Sequence, residues 1–158
     1  MSMTRRRVVV TGLGCVSPVG NTVADAWANL IAGKSGIGLI TKFDASSFNC
    51  KIAGEVKGFD VESYMSAKEA RTMDTFVHYG IAAASQAIAD AKLATGDALG
   101  EELANRIGCL IGSGIGGLPM IEDIHAELLN RGARRISPFF VPATIINMVA
   151  GQVAIRFG

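Results

Sequence analysis

The stretch "IGSGIGG", residues 111–117, decides the fold, because it joins an apolar run to a helix-like run. The preceding "RIGCLIG" (106–112) predicts a short, fully buried strand, and the following "GLPMIEDIHAELLNRG" (117–132) predicts a helix. Between Gly112 and Gly117 the turn matches G-x-G-x-x-G, a pattern typical of dinucleotide-binding turns. A strand, a glycine turn and a helix in this order indicate an α/β protein.

The dinucleotide hypothesis meets two difficulties. The fingerprint belongs at the first strand-to-helix turn, whereas here about two-thirds of the chain precede it. An acidic residue is also expected about 20 residues further on, yet residues 132–142 read "GARRISPFFVP". A turn that needs a close backbone approach would select glycines without any nucleotide. A dinucleotide-binding module using Gly112–Gly117 is therefore kept as the alternative hypothesis.

Composition narrows the class of protein. The 158 residues are 49% hydrophobic, which is more apolar material than a small domain covers by itself. The net charge of +1 excludes a general electrostatic attraction to nucleic acid or to a membrane surface. The three cysteines, Cys15, Cys50 and Cys109, are widely spaced without a C-x-x-C pair, which indicates reduced thiols in a cytosol. We expect them to pack as small residues, with no metal and no cofactor.

One stretch resembles a membrane-spanning helix in its length and lack of charge. "ISPFFVPATIINMVAGQVAI", residues 136–155, has 20 residues without a charge. Two prolines, Asn147 and Gln152 argue against a span, and a helix buried on all sides in a larger α/β protein has the same composition. We therefore expect no membrane segment.

The rest of the chain alternates strands and helices. This order predicts a mostly parallel sheet covered on both faces, with no internal domain boundary over residues 1–158. The other predicted elements are a buried strand "RRVVVTGLG" (6–14), a helix "NTVADAWANLIAGKSG" (21–36) capped by Asn21 or Thr22, a short strand "CKIAGEV" (50–56), a helix "SAKEARTMD" (66–74), a helix "DTFVHYGIAAASQAIADAKL" (74–93), an extended loop "ISPFFVP" (136–142) and a helix "ATIINMVAGQVAIRFG" (143–158).

Four stretches together resemble the N-terminal part of the β-ketoacyl-(acyl-carrier-protein) synthases. They are "VVVTGLGCVSPVGNT" (8–22), "KSGIGLITKFD" (34–44), "RIGCLIGSGIGG" (106–117) and "RRISPFFVPATIINMVAGQVAIRFG" (134–158). "SGIGG" and "SPFFVP" are most similar to the type II branch. The resemblance covers essentially all 158 residues. It implies an incomplete N-terminal part of a thiolase-like fold with αβαβα layers, in which residues 1–158 belong to the first half of the subunit.

The resemblance implies a decarboxylating Claisen condensation in fatty acid biosynthesis. An acyl group passes from acyl carrier protein to an enzyme cysteine, and the carbanion formed from malonyl-carrier protein attacks the thioester. In relatives that cysteine lies in an Ala-Cys-Thr-like turn shortly after the segment matching "AIRFG" (154–158), and both catalytic histidines lie later. We therefore expect this chain to lack the nucleophile and both histidines and to be inactive alone, as part of a cytoplasmic homodimer.

The resemblance also implies an acyl pocket. It places Ile115, Ile121 and Phe140 beside the growing chain, with Phe140 reaching in from the partner subunit. An alkyl tail needs a dry apolar lining, since each buried CH₂ contributes about 0.8 kcal/mol. Bulk at Ile115 would then limit chain length. Without the resemblance, all three would be interpreted as ordinary core residues.

Basic residues near the pocket mouth would attract the acidic carrier protein. By motif position the candidates for carrier-protein docking are Lys68, Arg71, Arg134 and Arg135, although Thr72 stands where relatives often have another basic residue. The alternative interpretation is that these four residues are ordinary solvated surface charges without a partner. A non-catalytic module that binds acyl carrier protein through this surface is the remaining alternative.

Overall fold

The computed structural model describes residues 6–158, and helices dominate that part of the chain. The described elements are α1 (Val23–Ile31), β1 (Ile37–Leu39), β2 (Ile52–Gly54), α2 (Ala67–Ala70), α3 (Thr75–Asp90), α4 (Glu101–Ala104), α5 (Leu118–Arg131), α6 (Phe140–Thr144) and α7 (Met148–Phe157). Short 3-10 turns lie at Val61–Ser63, Gly96–Ala98 and Ala133–Arg135.

The first three helices begin at polar side chains that cap them. The Asp25 N–H donates to Thr22 Oγ1 at the start of α1 over 3.1 Å. Ser66 and Glu69 form a reciprocal capping box at the start of α2. Asp74 caps α3 by accepting from the Phe76 N–H. Each oxygen satisfies a first-turn N–H that has no partner inside its own helix, which is why these helices begin where they do.

The core lies between α3 and α7. Val77 and Ile81 of α3 are completely buried against Val149 and Val153 of α7. Gly80 lets the two helices approach closely, because a Cβ at that position would collide with the Val149 side chain. The helix predicted over 74–93 is confirmed as α3.

The described strands form a two-stranded antiparallel ribbon. Ile37 lies opposite Gly54, and Leu39 lies opposite Ile52. The short strand predicted within 50–56 is confirmed, whereas β1 was not predicted. The mostly parallel sheet that the element order predicted is not formed among residues 6–158.

The two predicted buried strands, 6–14 and 106–112, are mostly exposed extended segments. Val8 is 92% exposed and Leu110 is 98% exposed. Residues 6–12 make no backbone hydrogen bond to another described residue. A strand exists only when a neighbour pairs with its N–H and C=O groups, and no described strand pairs with either segment. The predictions of two buried strands are therefore wrong for residues 6–158, and most of the apolar side chains in these segments are uncovered.

The apolar C-terminal region divides into two helices. α6 begins at Phe140, so the prediction of an extended loop through residue 142 is wrong. Pro142 lies in the first turn of α6, where a missing N–H costs nothing. Ile145, with φ −74° and ψ 139°, is extended and separates α6 from α7. Among residues 6–158, no helix combines the length and the apolar character needed to cross a membrane.

Candidate functional site

The glycine turn before α5 packs against α6. Gly116 adopts a φ of +84°, and a Cβ there would collide with the Thr144 carbonyl oxygen. The Gly117 N–H donates to the same carbonyl over 2.9 Å. A Cβ at Gly117 would lie 2.9 Å from Thr144 Cα. Glycine is therefore required at 116 and 117 by a close approach between two backbones.

The first two glycines of the fingerprint have a different environment. A Cβ at Gly112 or Gly114 would have no described atom within 4 Å. Residues 106–112 also form no strand in the described part of the chain, although a dinucleotide-binding turn depends on one. The two glycines in close contact, Gly116 and Gly117, therefore pack against α6. This packing explains why glycine occupies these positions without any bound nucleotide.

A buried carboxylate lies beneath this turn. Asp74 is only 5% exposed. Its Oδ2 accepts from the Met120 N–H over 2.9 Å, and its Oδ1 accepts from the Phe76 N–H over 3.4 Å. Its own N–H donates to the Ala143 carbonyl oxygen over 3.4 Å. Asp74 therefore connects the starts of α3 and α5 to α6, a role that its position before a helix did not reveal.

The three predicted pocket residues lie on segments that meet at this junction. Ile115 directly precedes Gly116 and is 67% exposed. Ile121 is in the first turn of α5. Phe140 begins α6, and its carbonyl oxygen accepts from Thr144 Oγ1 over 2.9 Å. The structure brings the segments that carry them together within one chain, while their role in binding an acyl chain, with Phe140 reaching in from a partner subunit, remains a prediction.

An apolar cleft of about 320 Å³ lies elsewhere, between α3, α7 and residues 107–111. Ala84 and Ile88 of α3 form one wall, and Val153 and Phe157 of α7 form another. None of the three predicted pocket residues lines it. The cleft is bordered by the exposed segment that the sequence predicts as a buried strand.

The four predicted docking residues occupy two exposed segments. Lys68 lies on α2, and Arg71 is the first residue after that helix. Arg134 and Arg135 belong to the 3-10 turn after α5. The ion pairs found among residues 6–158 join Arg131 to Glu127 and Arg156 to Glu69. None of the four candidates takes part in these ion pairs, so their charges are available to a partner.

Glu69 fixes the helix that carries Lys68. Hydrogen bonds from the Ser66 N–H and then from the Ser66 hydroxyl lower the pKa of Glu69, and the Arg156 charge lowers it further. Arg156 lies 3.2 Å from the Glu69 carboxylate and donates to the Tyr64 carbonyl oxygen over 2.8 Å. The ionised carboxylate thereby ties α2 to α7.

The sulfur and imidazole groups are scattered. Cys15 is half-buried, whereas Cys50 and Cys109 are exposed, and all three are free thiols. The prediction that Cys109 lies inside a buried strand is wrong. His78 Nε2 lies 2.9 Å from the Ala70 carbonyl oxygen, and His125 is exposed. No group of three or more metal-ligating side chains occurs among residues 6–158.

Comparison with known proteins identifies the family to which the chain belongs. Residues 5–158 match the family described as "Beta-ketoacyl synthase, N-terminal domain". The chain belongs to this family. It is 56% identical over 156 residues to the 3-oxoacyl-[acyl-carrier-protein] synthase 2 of Vibrio cholerae, covering 99% of this chain and 37% of that protein. It is 48% identical over 157 residues to the protein of the same name from Synechocystis, again covering 99% and 37%.

Solved ketosynthase structures resemble the described chain. A type II polyketide ketosynthase in complex with its acyl carrier protein has a TM-score of 0.76 and 29% identity, over 96% of this chain and 39% of that one. The ishigamide ketosynthase/chain length factor has a TM-score of 0.77 and 27% identity, over 96% and 37%. These likenesses confirm the predicted fold, the N-terminal part of a thiolase-like condensing enzyme. The chain spans about 37% of the length of the curated relatives it matches.

Proposed function

We propose that this chain forms the N-terminal part of a 3-oxoacyl-(acyl-carrier-protein) synthase of type II. The enzyme elongates a fatty acyl chain held on its cysteine, using the carbanion that malonyl-carrier protein forms when it loses CO₂. The 56% identity to the Vibrio cholerae synthase along 99% of the chain carries this proposal. The apolar cleft and the two uncovered extended segments support it, because a larger subunit would cover such surfaces.

In this proposal the chain supplies one wall of the acyl pocket. Ile115, Ile121 and Phe140 line the alkyl tail, with Phe140 provided by the second subunit of a homodimer. Ile115 is free to contact a ligand, since it is 67% exposed among the described residues. Each additional CH₂ that enters such a lining contributes about 0.8 kcal/mol, so the wall favours long chains until the space is filled.

The partner in the proposed reaction is acyl carrier protein, an acidic protein. Lys68, Arg71, Arg134 and Arg135 would steer it, because they are exposed and take part in none of the described ion pairs. A related ketosynthase has been solved in complex with its own acyl carrier protein. We further infer a reducing, cytosolic location, which the three free thiols support.

The elongation reaction itself tests the proposal. Full-length protein is incubated with acyl- and malonyl-loaded carrier protein, and the masses of the products are measured by mass spectrometry. We expect a 3-oxoacyl product two carbons longer, and neither product nor acylated cysteine from the 158-residue chain alone. Absence of product with the full-length protein would refute the synthase assignment. Turnover by the pure 158-residue chain would refute the assignment of the nucleophile to a segment beyond "AIRFG" (154–158).

Enlarging Ile115 tests the pocket. Ile115→Phe should lower kcat/KM for long acyl groups about tenfold while leaving short ones nearly unchanged, because bulk at the wall shortens the available space. Leu129→Phe on α5 is the matched control, since Leu129 is 72% exposed and lies outside the predicted pocket. Equal losses for short and long chains would contradict the pocket assignment.

Charge reversal tests the docking surface. Arg134→Glu combined with Arg135→Glu should raise the KM for carrier protein about tenfold at low salt, with the difference shrinking as salt screens the charges. Lys34→Glu combined with Lys51→Glu changes the same total charge at exposed positions on other segments. If this control weakens binding equally, net charge rather than a docking surface is responsible.

A further inference from the structure

We propose that Asp74 is a positioning residue that holds the acyl-pocket wall by capping two helices at once. This inference rests on the proposed function for the meaning of the pocket. The shared cap itself depends only on hydrogen bonds from the starts of α3 and α5. Asp74 is 46 residues away from Met120 in sequence, so the contact joins two distant parts of the chain.

The start of α5 lacks the means to cap itself. Its N-cap residue is Gly117, which has no side chain to accept a hydrogen bond. A capping oxygen normally accepts from the N–H of the second or third helical residue. In α5 the second residue is Pro119, which has no N–H, and the third is Met120. The Met120 N–H is therefore the single usual capping donor of α5, and it donates to Asp74.

A carboxylate suits this position because it can serve both helices. One oxygen accepts from Phe76 in α3, and the other accepts from Met120 in α5. The N-terminal ends of both helices carry partial positive charge, which favours an anion between them. The two helix starts thus supply the partners that a carboxylate 5% exposed requires.

The absence of a side chain at Gly117 makes this approach possible. A Cβ there would lie 3.0 Å from the Asp74 Cβ. Ile115 precedes this glycine by two residues, and Ile121 directly follows Met120. Asp74 therefore fixes the segment that carries two of the three predicted pocket residues. Without its second hydrogen bond, α5 can shift relative to α3 while α3 itself remains capped.

Asp74→Ser in the full-length protein separates the two caps. Serine is a good N-cap for α3, but its single hydroxyl oxygen cannot replace two carboxylate oxygens. We expect a folded protein in which the Met120 amide exchanges hydrogen at least tenfold faster. We also expect the ratio of kcat/KM for long over short acyl groups to change at least fivefold. Asp60→Ser is the matched control, since Asp60 caps the exposed turn Val61–Ser63.

Two results would overturn the inference: a folded Asp74→Ser protein with unchanged Met120 exchange, or one with an unchanged acyl-length ratio. If the variant does not fold, hydrogen exchange of the Met120 amide in the wild-type protein tests the inference instead. Protection of Met120 by a factor of a hundred or more supports the cap, and exchange at the rate of an open amide overturns it. If the wild-type protein elongates no acyl chain, the proposed function fails. Hydrogen exchange of the Met120 amide still tests the shared cap independently of that function.

Discussion

The two glycine turns of this protein share a sequence pattern but use it differently. In "TGLGC" (11–15) both glycines lie against α3, where a Cβ at Gly12 or Gly14 would collide with the carbonyl oxygen of Ala87 or Ala83. In "IGSGIGG" (111–117) the equivalent first glycines lie in open space among the described residues. The tight contacts there belong to the last two positions, which pack against α6.

The two turns are also held by different partners. Side chains of α3 hold the first turn, since the N–H groups of Leu13 and Cys15 donate to Asp90 and Gln86. The second turn is held by the Thr144 carbonyl oxygen of α6, with Asp74 beneath it. A G-x-G pattern after an apolar run therefore shows that a close approach exists, without showing which glycine makes it.

The largest expected effect is at Gly14. Gly14→Val in the full-length protein should lower the free energy of unfolding by more than about 3 kcal/mol, because the side chain would collide with the backbone of α3. Urea unfolding followed by circular dichroism measures the change. Gly38→Ala is the control, since a Cβ there would meet only the flexible end of Lys57 at 3.7 Å. A tolerated valine would show that the first turn is not tightly packed.

Gly116→Ala should have the next largest effect. Its φ of +84° is unfavourable for alanine, and the added Cβ would collide with the Thr144 carbonyl oxygen. We expect a loss of about 2 kcal/mol, together with a changed acyl-length preference because Ile115 is adjacent. Gly132→Ala is the matched control for φ, since Gly132 has a φ of +78° with no atom near its added Cβ. Equal losses at both positions would show that backbone conformation alone is responsible.

Gln86→Leu tests the side chain that holds the first turn. Its amide accepts from the Cys15 N–H and donates to the Asn21 carbonyl oxygen and the Tyr64 hydroxyl. Removing these bonds in a half-buried place should cost about 1–2 kcal/mol, measured by urea unfolding. Gln86→Glu keeps the acceptor for the Cys15 N–H and can accept from the Tyr64 hydroxyl, so it should lose only the bond to the Asn21 carbonyl oxygen. A neutral leucine variant would mean that the glycine contacts hold the turn by themselves.

The smallest effect is expected at Asp90. Its carboxylate accepts from the Leu13 N–H over 2.9 Å at an exposed position. Asp90→Asn retains an accepting oxygen, and water competes for the bond, so the loss should stay below about 0.5 kcal/mol. The same urea measurement checks it. A loss as large as that of Gln86→Leu would mean that this end of the turn is more important than its exposure suggests.

The sequence predicts those parts of the fold that depend on nearby residues. α1 follows from its predicted cap, which proves to be Thr22, and α3 and α5 follow from the helical pattern of their apolar residues. α6 was missed because Pro142 was interpreted as a loop residue, although proline is tolerated in a first turn. The strands predicted at 6–14 and 106–112 depend on pairing with distant segments, which the composition of a strand cannot supply.

The candidate site divides in the same way. Ile115, Ile121 and Phe140 come from motifs that resemble the β-ketoacyl synthases, and the structure brings their segments together at one junction. Asp74 was missed because a residue before a helix predicts a cap for that helix alone. Its second partner, Met120, becomes a neighbour only after α5 packs beside α3. Contacts between distant segments therefore limit what the sequence can reveal about this site.

The uncovered segment 6–12 has a consequence for handling the protein. Its N–H and C=O groups, which pair with no other group among residues 6–158, form an open template on which another strand can be added. The side chains of Val8, Val9 and Val10 make such an addition favourable, since all three are exposed and β-branched. A preparation of these 158 residues alone should therefore self-associate as its concentration rises, by strand addition at this edge.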